Sequence, residues 1–229
     1  MRKARPRDTA PAGLLIDLDG TLVDSEYLHF ESTAAVLATR GVIIDRTQYE
    51  MYVGWDERAC WLSLNERFGL DFDPDVAVLK RTHAYVELLR GRRLDVLPGA
   101  PELLAWAHER GLPMAVVSSL PHDQIDASLA AANLDRYLPL RRSGHDDVPP
   151  GRGKPAPDVY LAAAAALGVD PRDCFACEDS PTGMRSARAA GCYVIGIPCV
   201  SHPTADVSAA DMICGSLADV MSFLRECTA

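Results

Sequence analysis

Two aspartates separated by a single leucine, Asp17-Leu18-Asp19, stand immediately before Gly20-Thr21. Side chains two residues apart on a strand point the same way, so both carboxylates would leave a sheet at one edge. Left unpaired they repel, which implies a bound cation or a shared proton, and Gly20 permits a backbone turn closed to other residues. Further along, Ser118-Ser119 precede Pro121 at an expected helix start, where hydroxyls and free N–H groups make an anion site. Glu178-Asp179-Ser180 precede a second proline-started helix, and Lys154 lies in a Gly/Pro-rich loop just before a third. Each has a plainer reading when taken singly: an Asp-Gly turn, a capping serine, acids on a helix N-terminus, a solvated lysine. Chemistry is indicated by their convergence.

The elements that must bring them together follow from periodicity. Residues 13–18 form a short apolar run ending in acids, which reads as a buried strand. Residues 25–91 read as wholly helical, with Gly41, Gly54, Gly69 and Gly91 where helices should stop and Asp45, Asp56 and Asp73 where they should start. After residue 97 helices and strands alternate: helix 101–110, strand 113–117, helix 121–132, a weak strand near 138–140, a loop over 143–157, helix 157–167, strand 174–177, helix 181–190 and strand 193–197. Such alternation specifies a parallel sheet covered on both faces, whose working groups sit beyond the carboxyl ends of the strands. Three strand ends and one loop thus deliver acids, hydroxyls and a lysine to one rim. Hard oxygen ligands with no histidine pair select Mg²⁺. The helical block inserted after the first strand is an expected lid.

Composition narrows the field. The 229 residues, 48% hydrophobic and 24% charged, exclude disordered and fibrous classes. A charge of −9, from 23 basic and 32 acidic residues, disfavours a duplex nucleic-acid binder. Arg2, Lys3, Arg5 and Arg7 read as a basic tail, because the apolar stretch after them is cut at Asp17, too soon for a secretory signal. The longest apolar run, 161–169, is about half of what a membrane span needs. Seven cysteines form no regular framework, which fits a reducing, cytoplasmic setting. Cys174 and Cys177 make a CxxC inside a strand and read as buried thiols, and Trp55, Trp61 and Trp106 read as packing residues.

Taken together, the DxDGT run at Asp17–Thr21, the strand-end Ser118, Gly153-Lys154-Pro155-Ala156-Pro157-Asp158 and Glu178-Asp179-Ser180 with Gly183 resemble the haloacid dehalogenase-like hydrolase superfamily. The insert after the first motif resembles its small-helical-cap branch, which holds beta-phosphoglucomutase, phosphoglycolate phosphatase and sugar-phosphate phosphatases. The resemblance implies that Asp17 is the nucleophile that forms an aspartyl-phosphate. It implies that Asp19 is the general acid and base, that Ser118 and Ser119 hold the phosphate, and that Lys154 neutralises charge. It also implies Mg²⁺ on Asp17, Asp19, Asp179 and Glu178. An aspartate at position 19 argues against the dehalogenases, whose halide leaving group needs no proton, and against the phosphonoacetaldehyde hydrolases, which carry alanine there.

The fold expected is α/β, a Rossmann-like doubly wound parallel sheet core (1–24 and 95–229) with an inserted helical cap (25–94). The activity expected is Mg²⁺-dependent hydrolysis of a small phosphate monoester, a sugar phosphate, by a monomer or dimer that binds neither nucleic acid nor membrane. The alternative is a beta-phosphoglucomutase-type hexose-phosphate mutase. A third reading, an idle phosphometabolite-binding module, is disfavoured because a mere binder could discard Asp19. In the cap, His29, Arg58 and Arg81 are the substrate-contacting residues the resemblance suggests, although each arginine also fits a solvated helix face.

Overall fold

In the computed structural model the described residues are 10–52, 55, 57–198 and 206–227. The basic residues Arg2, Lys3, Arg5 and Arg7, and the helix-boundary residues Gly54 and Asp56, lie outside them. The chain divides into two compact units, Ser25–Arg93 and the remainder.

The larger unit is built on a six-stranded sheet, parallel throughout, comprising β1 (Gly13–Ile16), β2 (Met114–Ser118), β3 (Arg141–Ser143), β4 (Cys174–Glu178), β5 (Tyr193–Gly196) and β6 (Met212–Ile213). The spatial order is β3-β2-β1-β4-β5-β6. In this doubly wound order the chain reverses direction across the sheet between β1 and β4, and that is where a crevice opens beyond the strand ends. The central strands are buried on both faces, as helix-covered parallel strands must be; Leu14, Leu15 and Ile16 are wholly inaccessible. Burial of each contributes about 1.5–3 kcal/mol. On one face Leu15, Ala115, Val117 and Ala176 pack against α7 (Asp158–Leu167) and α8 (Pro181–Ala190). Phe175, of opposite parity on β4, stacks on Phe223 of α9 (Leu217–Cys227), which packs with α5 (Ala100–Glu109). Helix α6 (His122–Ala131) completes the unit.

The smaller unit is all helical: α1 (Glu26–Ala38), α2 (Arg46–Glu50), α3 (Glu57–Phe68) and α4 (Pro74–Leu89). Asp45 forms a capping box with Gln48, and Asp73 caps α4 with Pro74 at its first position. Gly41, Gly69 and Gly91 end helices with φ of 74°, 63° and 69°, a conformation that costs other residues a steric penalty. Its core centres on Trp61, Leu64, Val36 and Phe72, with Trp61 and Phe72 edge to face at 5.5 Å. Trp106 is buried as expected, whereas Trp55 is half exposed.

Three expectations need correction. The first strand stops at Ile16, so Asp17 and Asp19 follow it as a turn instead of sharing a strand face. The weak strand falls at 141–143, not 138–140. Val116 donates to the Leu140 carbonyl, so pairing begins only where the apolar run ends. Pro139 lacks the N–H a ladder needs, and an edge strand tolerates half-buried arginines in its place. Finally, β6 and α9 lie beyond the elements read from the sequence. Among the described residues, no helix is long and apolar enough to cross a membrane.

Candidate active site

The site is assembled at the β1/β4 reversal. Ile16 pairs with Cys177 in register, and the Asp17 N–H donates to the Cys177 carbonyl at 3.0 Å, which sets Asp17 beside Glu178. Lys154 closes the group. Its ammonium donates to Asp17 Oδ1 at 2.6 Å, to Glu178 Oε1 at 2.6 Å and to the Val117 carbonyl at 2.9 Å, which uses all three of its N–H bonds. With 4% of its side chain exposed, Lys154 is no solvated loop lysine.

Close backbone approach delivers that lysine. The Gly144 N–H donates to the Ser118 carbonyl at 2.7 Å. A Cβ on Gly153 would lie 3.0 Å from the Gly144 carbonyl oxygen, and one on Gly144 would lie 3.3 Å from that of Ser118. The two glycines therefore stack the Lys154 loop onto the end of β2, a role that their place in a Gly/Pro-rich stretch did not reveal. Ser118 is buried, and its Oγ accepts from the Leu120 N–H at 3.1 Å, while α6 has Pro121 at its N-cap and no side-chain cap. Ser118 is thus no capping serine. Ser119 is exposed beside it.

The acids after β4 do not cap α8 either. Ser180 does so, its Oγ accepting from the Gly183 N–H at 3.0 Å. Glu178 is fully buried and both its oxygens are engaged. Oε1 accepts from Lys154 and from the Tyr160 hydroxyl at 2.7 Å, and Oε2 from Ser180 Oγ at 3.0 Å. Gly183 is required here because any Cβ would overlap the Glu178 carboxylate. Asp19 is half-buried and bridges to Val23 through its backbone, with Gly20 at φ 74° making the turn between them. Tyr160 and Gly183 complete the set of residues that shape the site. The sequence signal for Tyr160 is slight: a hydroxyl in an otherwise apolar and alanine-rich helix must find a buried partner.

The cluster is short of positive charge. Burial pushes the Asp17 carboxyl up to about 8; Lys154 opposes the rise, and Glu178 and Asp19 add to it. Burial first, then Asp17 and Glu178, raise Asp179 well above the ordinary carboxylate range. Among the described residues, Lys154 is the cation that acts on this set of carboxylates. Ligand oxygens of Asp17, Glu178 and Asp179 come within 4.8 Å of one another. An all-oxygen donor set with a charge deficit fits a hard divalent cation.

The remaining predicted residues belong to the helical unit. Arg81 is 5% exposed, not on a solvated face; it ion-pairs with Glu57 and donates from Nη2 to His29 Nδ1 at 2.7 Å. Burial opposes its charge, but Glu57 holds its pKa above the usual arginine value. Arg58 is exposed and ion-paired with Asp75.

A doubly wound sheet with an aspartate turn on its first strand, a lysine bridging that aspartate to an acid on the neighbouring strand, and an inserted helical domain defines a class of hydrolase. The chain belongs to the haloacid dehalogenase-like hydrolases, whose family model matches residues 11–191. It is 34% identical over 208 residues to protein CbbY of Rhodobacter capsulatus, covering 86% of this chain and 90% of that one. It is 30% identical over 188 residues to hexitol phosphatase A of Escherichia coli, covering 81% and 82%. Among solved structures it resembles a CbbY variant from Rhodobacter sphaeroides in complex with xylulose bisphosphate. That match has a TM-score of 0.84 at 24% identity and covers 93% of this chain and 99% of that one. The protein is a phosphoric monoester hydrolase.

Proposed function

We propose that the protein hydrolyses a small sugar phosphate through an aspartyl-phosphate on Asp17, with Mg²⁺ as cofactor. The observation that carries this reading is the Lys154 ammonium bridging Asp17 and Glu178 at 2.6 Å each. A carboxylate cannot approach an anionic phosphate unless the repulsion is cancelled first, and Lys154 is already in place to cancel part of it. Asp17, the Asp19 carbonyl and Asp179 would hold Mg²⁺, with Glu178 direct or through water. Bound there, the ion supplies the rest of the positive charge. The Ser118 hydroxyl and Ser119 N–H receive the phosphoryl oxygens. An Asp17 oxygen attacks phosphorus, the ester P–O bond breaks, and Asp19 gives its proton to the departing oxygen. Asp19 then takes a proton from water, whose oxygen attacks phosphorus and releases inorganic phosphate and the Asp17 carboxylate.

A hexose-phosphate mutase would need a cation in the helical unit to hold a second phosphate. Arg81 is matched by Glu57 and Arg58 by Asp75, so neither meets a phosphate without breaking an ion pair. This favours hydrolysis. The test is beta-glucose 1-phosphate, as one member of a sugar-phosphate panel, with a trace of glucose 1,6-bisphosphate and Mg²⁺. The expected product of turnover is inorganic phosphate. Rapid bisphosphate-dependent formation of glucose 6-phosphate would reverse the assignment.

A further inference from the structure

We propose that Tyr160 is a positioning residue for the hydrolysis, acting through Glu178 on the Lys154 ammonium. The inference rests on the reading of Asp17 and Lys154 given above. Tyr160 is the third residue of α7, within one turn of the end of Lys154's loop, and its whole side chain is buried. Its hydroxyl donates to Glu178 Oε1 at 2.7 Å, the same oxygen that accepts from Lys154 at 2.6 Å. Its ring also lies beneath that ammonium, with Nζ 5.4 Å from the ring centre. Tyr160 therefore touches both members of the pair while meeting neither Asp17 nor Asp179 in any hydrogen bond described.

The consequence is a division of the lysine between two carboxylates. Glu178 and Asp17 compete for one ammonium at equal distance. A donor on Glu178 Oε1 withdraws electron density from that oxygen and weakens its hold, and Ser180 does the same from Oε2. The balance leaves Lys154 directed at Asp17, where the phosphoryl group arrives. Without the hydroxyl, Glu178 Oε1 has one partner left and draws the ammonium toward itself. The ring, by contrast, holds the ammonium from below by a cation–π contact and would remain in phenylalanine. Tyr160→Phe thus isolates the hydroxyl, with shape and core packing kept.

The loss should appear where Lys154 acts, in the transition state more than in the ground state. For Tyr160→Phe the expected result is a kcat about tenfold lower with KM within about twofold, the pattern of an interaction made mainly in the transition state. Orthovanadate, which adopts the five-coordinate geometry of transferring phosphorus, should inhibit about tenfold more weakly by Ki. Ki does not depend on how much of the sample is folded, so it separates positioning from a mere loss of active protein. In a Glu178→Gln background the same substitution should have almost no further effect, since two residues acting as one unit are not additive. Unchanged kcat and Ki in Tyr160→Phe, lower kcat with unchanged Ki, or full additivity with Glu178→Gln would each overturn the inference. If the wild-type protein releases no phosphate from any ester, the reading of the site fails instead, and the two failures are distinct.

Discussion

The two units each bury a charged cluster around a single cation, and the clusters are opposites in design. In the sheet unit Lys154 faces Asp17 and Glu178, with Asp19 and Asp179 adding to the negative field. In the helical unit Arg81 pairs with Glu57, with the His29 ring as a second acceptor. Arginine cannot accept a hydrogen bond, so His29 Nδ1 must be the acceptor, and the ring carries its proton on Nε2. The helical cluster pairs one cation with one carboxylate. The sheet cluster sets one cation against several carboxylates, and an uncompensated buried charge is costly. On the proposed reading, charge balance separates a structural ion pair from a site that takes a cation and a phosphate.

The largest effect should come from the nucleophile. Asp17→Asn keeps the shape and removes the attacking oxygen's charge, and turnover should fall at least about a thousandfold, or several kcal/mol of barrier. Steady-state phosphate release would check it, and activity near wild type would remove Asp17 from the mechanism. Chelation should likewise abolish hydrolysis, with Mg²⁺ restoring it. Asp179→Ala should raise the Mg²⁺ concentration needed, and Ca²⁺ should inhibit because its larger and looser coordination misplaces the reacting oxygens. Full activity in chelator would sink the cation argument.

Stability should separate the clusters by sign. Breaking the balanced pair with Arg81→Ala should cost about 1–3 kcal/mol, because it leaves the half-buried Glu57 without its partner. Relieving the unbalanced one with Asp179→Asn should raise the melting temperature of the chelated protein by about 2–4 °C, the shift expected for roughly 1 kcal/mol in a chain of this size. Calorimetry of both variants in chelator checks this, and a fall for Asp179→Asn would contradict it. Gly183→Ala offers a smaller test in which propensity and packing disagree. Alanine suits a helix better by about 1 kcal/mol, yet the new methyl would push the Glu178 carboxylate off Lys154. Turnover should drop about tenfold, and an unchanged rate would show that Glu178 has room to move. Arg58→Ala, which breaks only an exposed pair, should change stability by less than about 1 kcal/mol.

Much of the site was legible because it is local in sequence. Asp17, Asp19, Ser118, Glu178 and Asp179 each end or follow a strand recognisable by its apolar run, and parallel strands put their carboxyl ends on one rim. Lys154 was legible by its motif, but its burial was not, since that depends on Gly144 and Gly153 bringing two loops into backbone contact. Tyr160 escapes for the same reason, since it matters only through Glu178, which is distant in sequence; Gly183 is legible in the Glu178 motif, but not the room its missing Cβ leaves for that carboxylate. The burial of Arg81 is not legible, because helical spacing reports only a face and its partner Glu57 lies on another helix. The edge strand at 141–143 was misplaced because hydrophobicity marks buried strands and β3 is an edge strand that carries arginines.

The central claim is that phosphorus is carried on Asp17, and trapping the acyl phosphate tests it most directly. Protein mixed with a sugar phosphate it hydrolyses and Mg²⁺ is quenched in acid during turnover and reduced with borohydride, which converts an acyl phosphate to the alcohol. Peptide mass spectrometry should then find homoserine at position 17 and nowhere else, and none without substrate. Continued phosphate release with aspartate intact at position 17, or homoserine at another acid, would contradict the account.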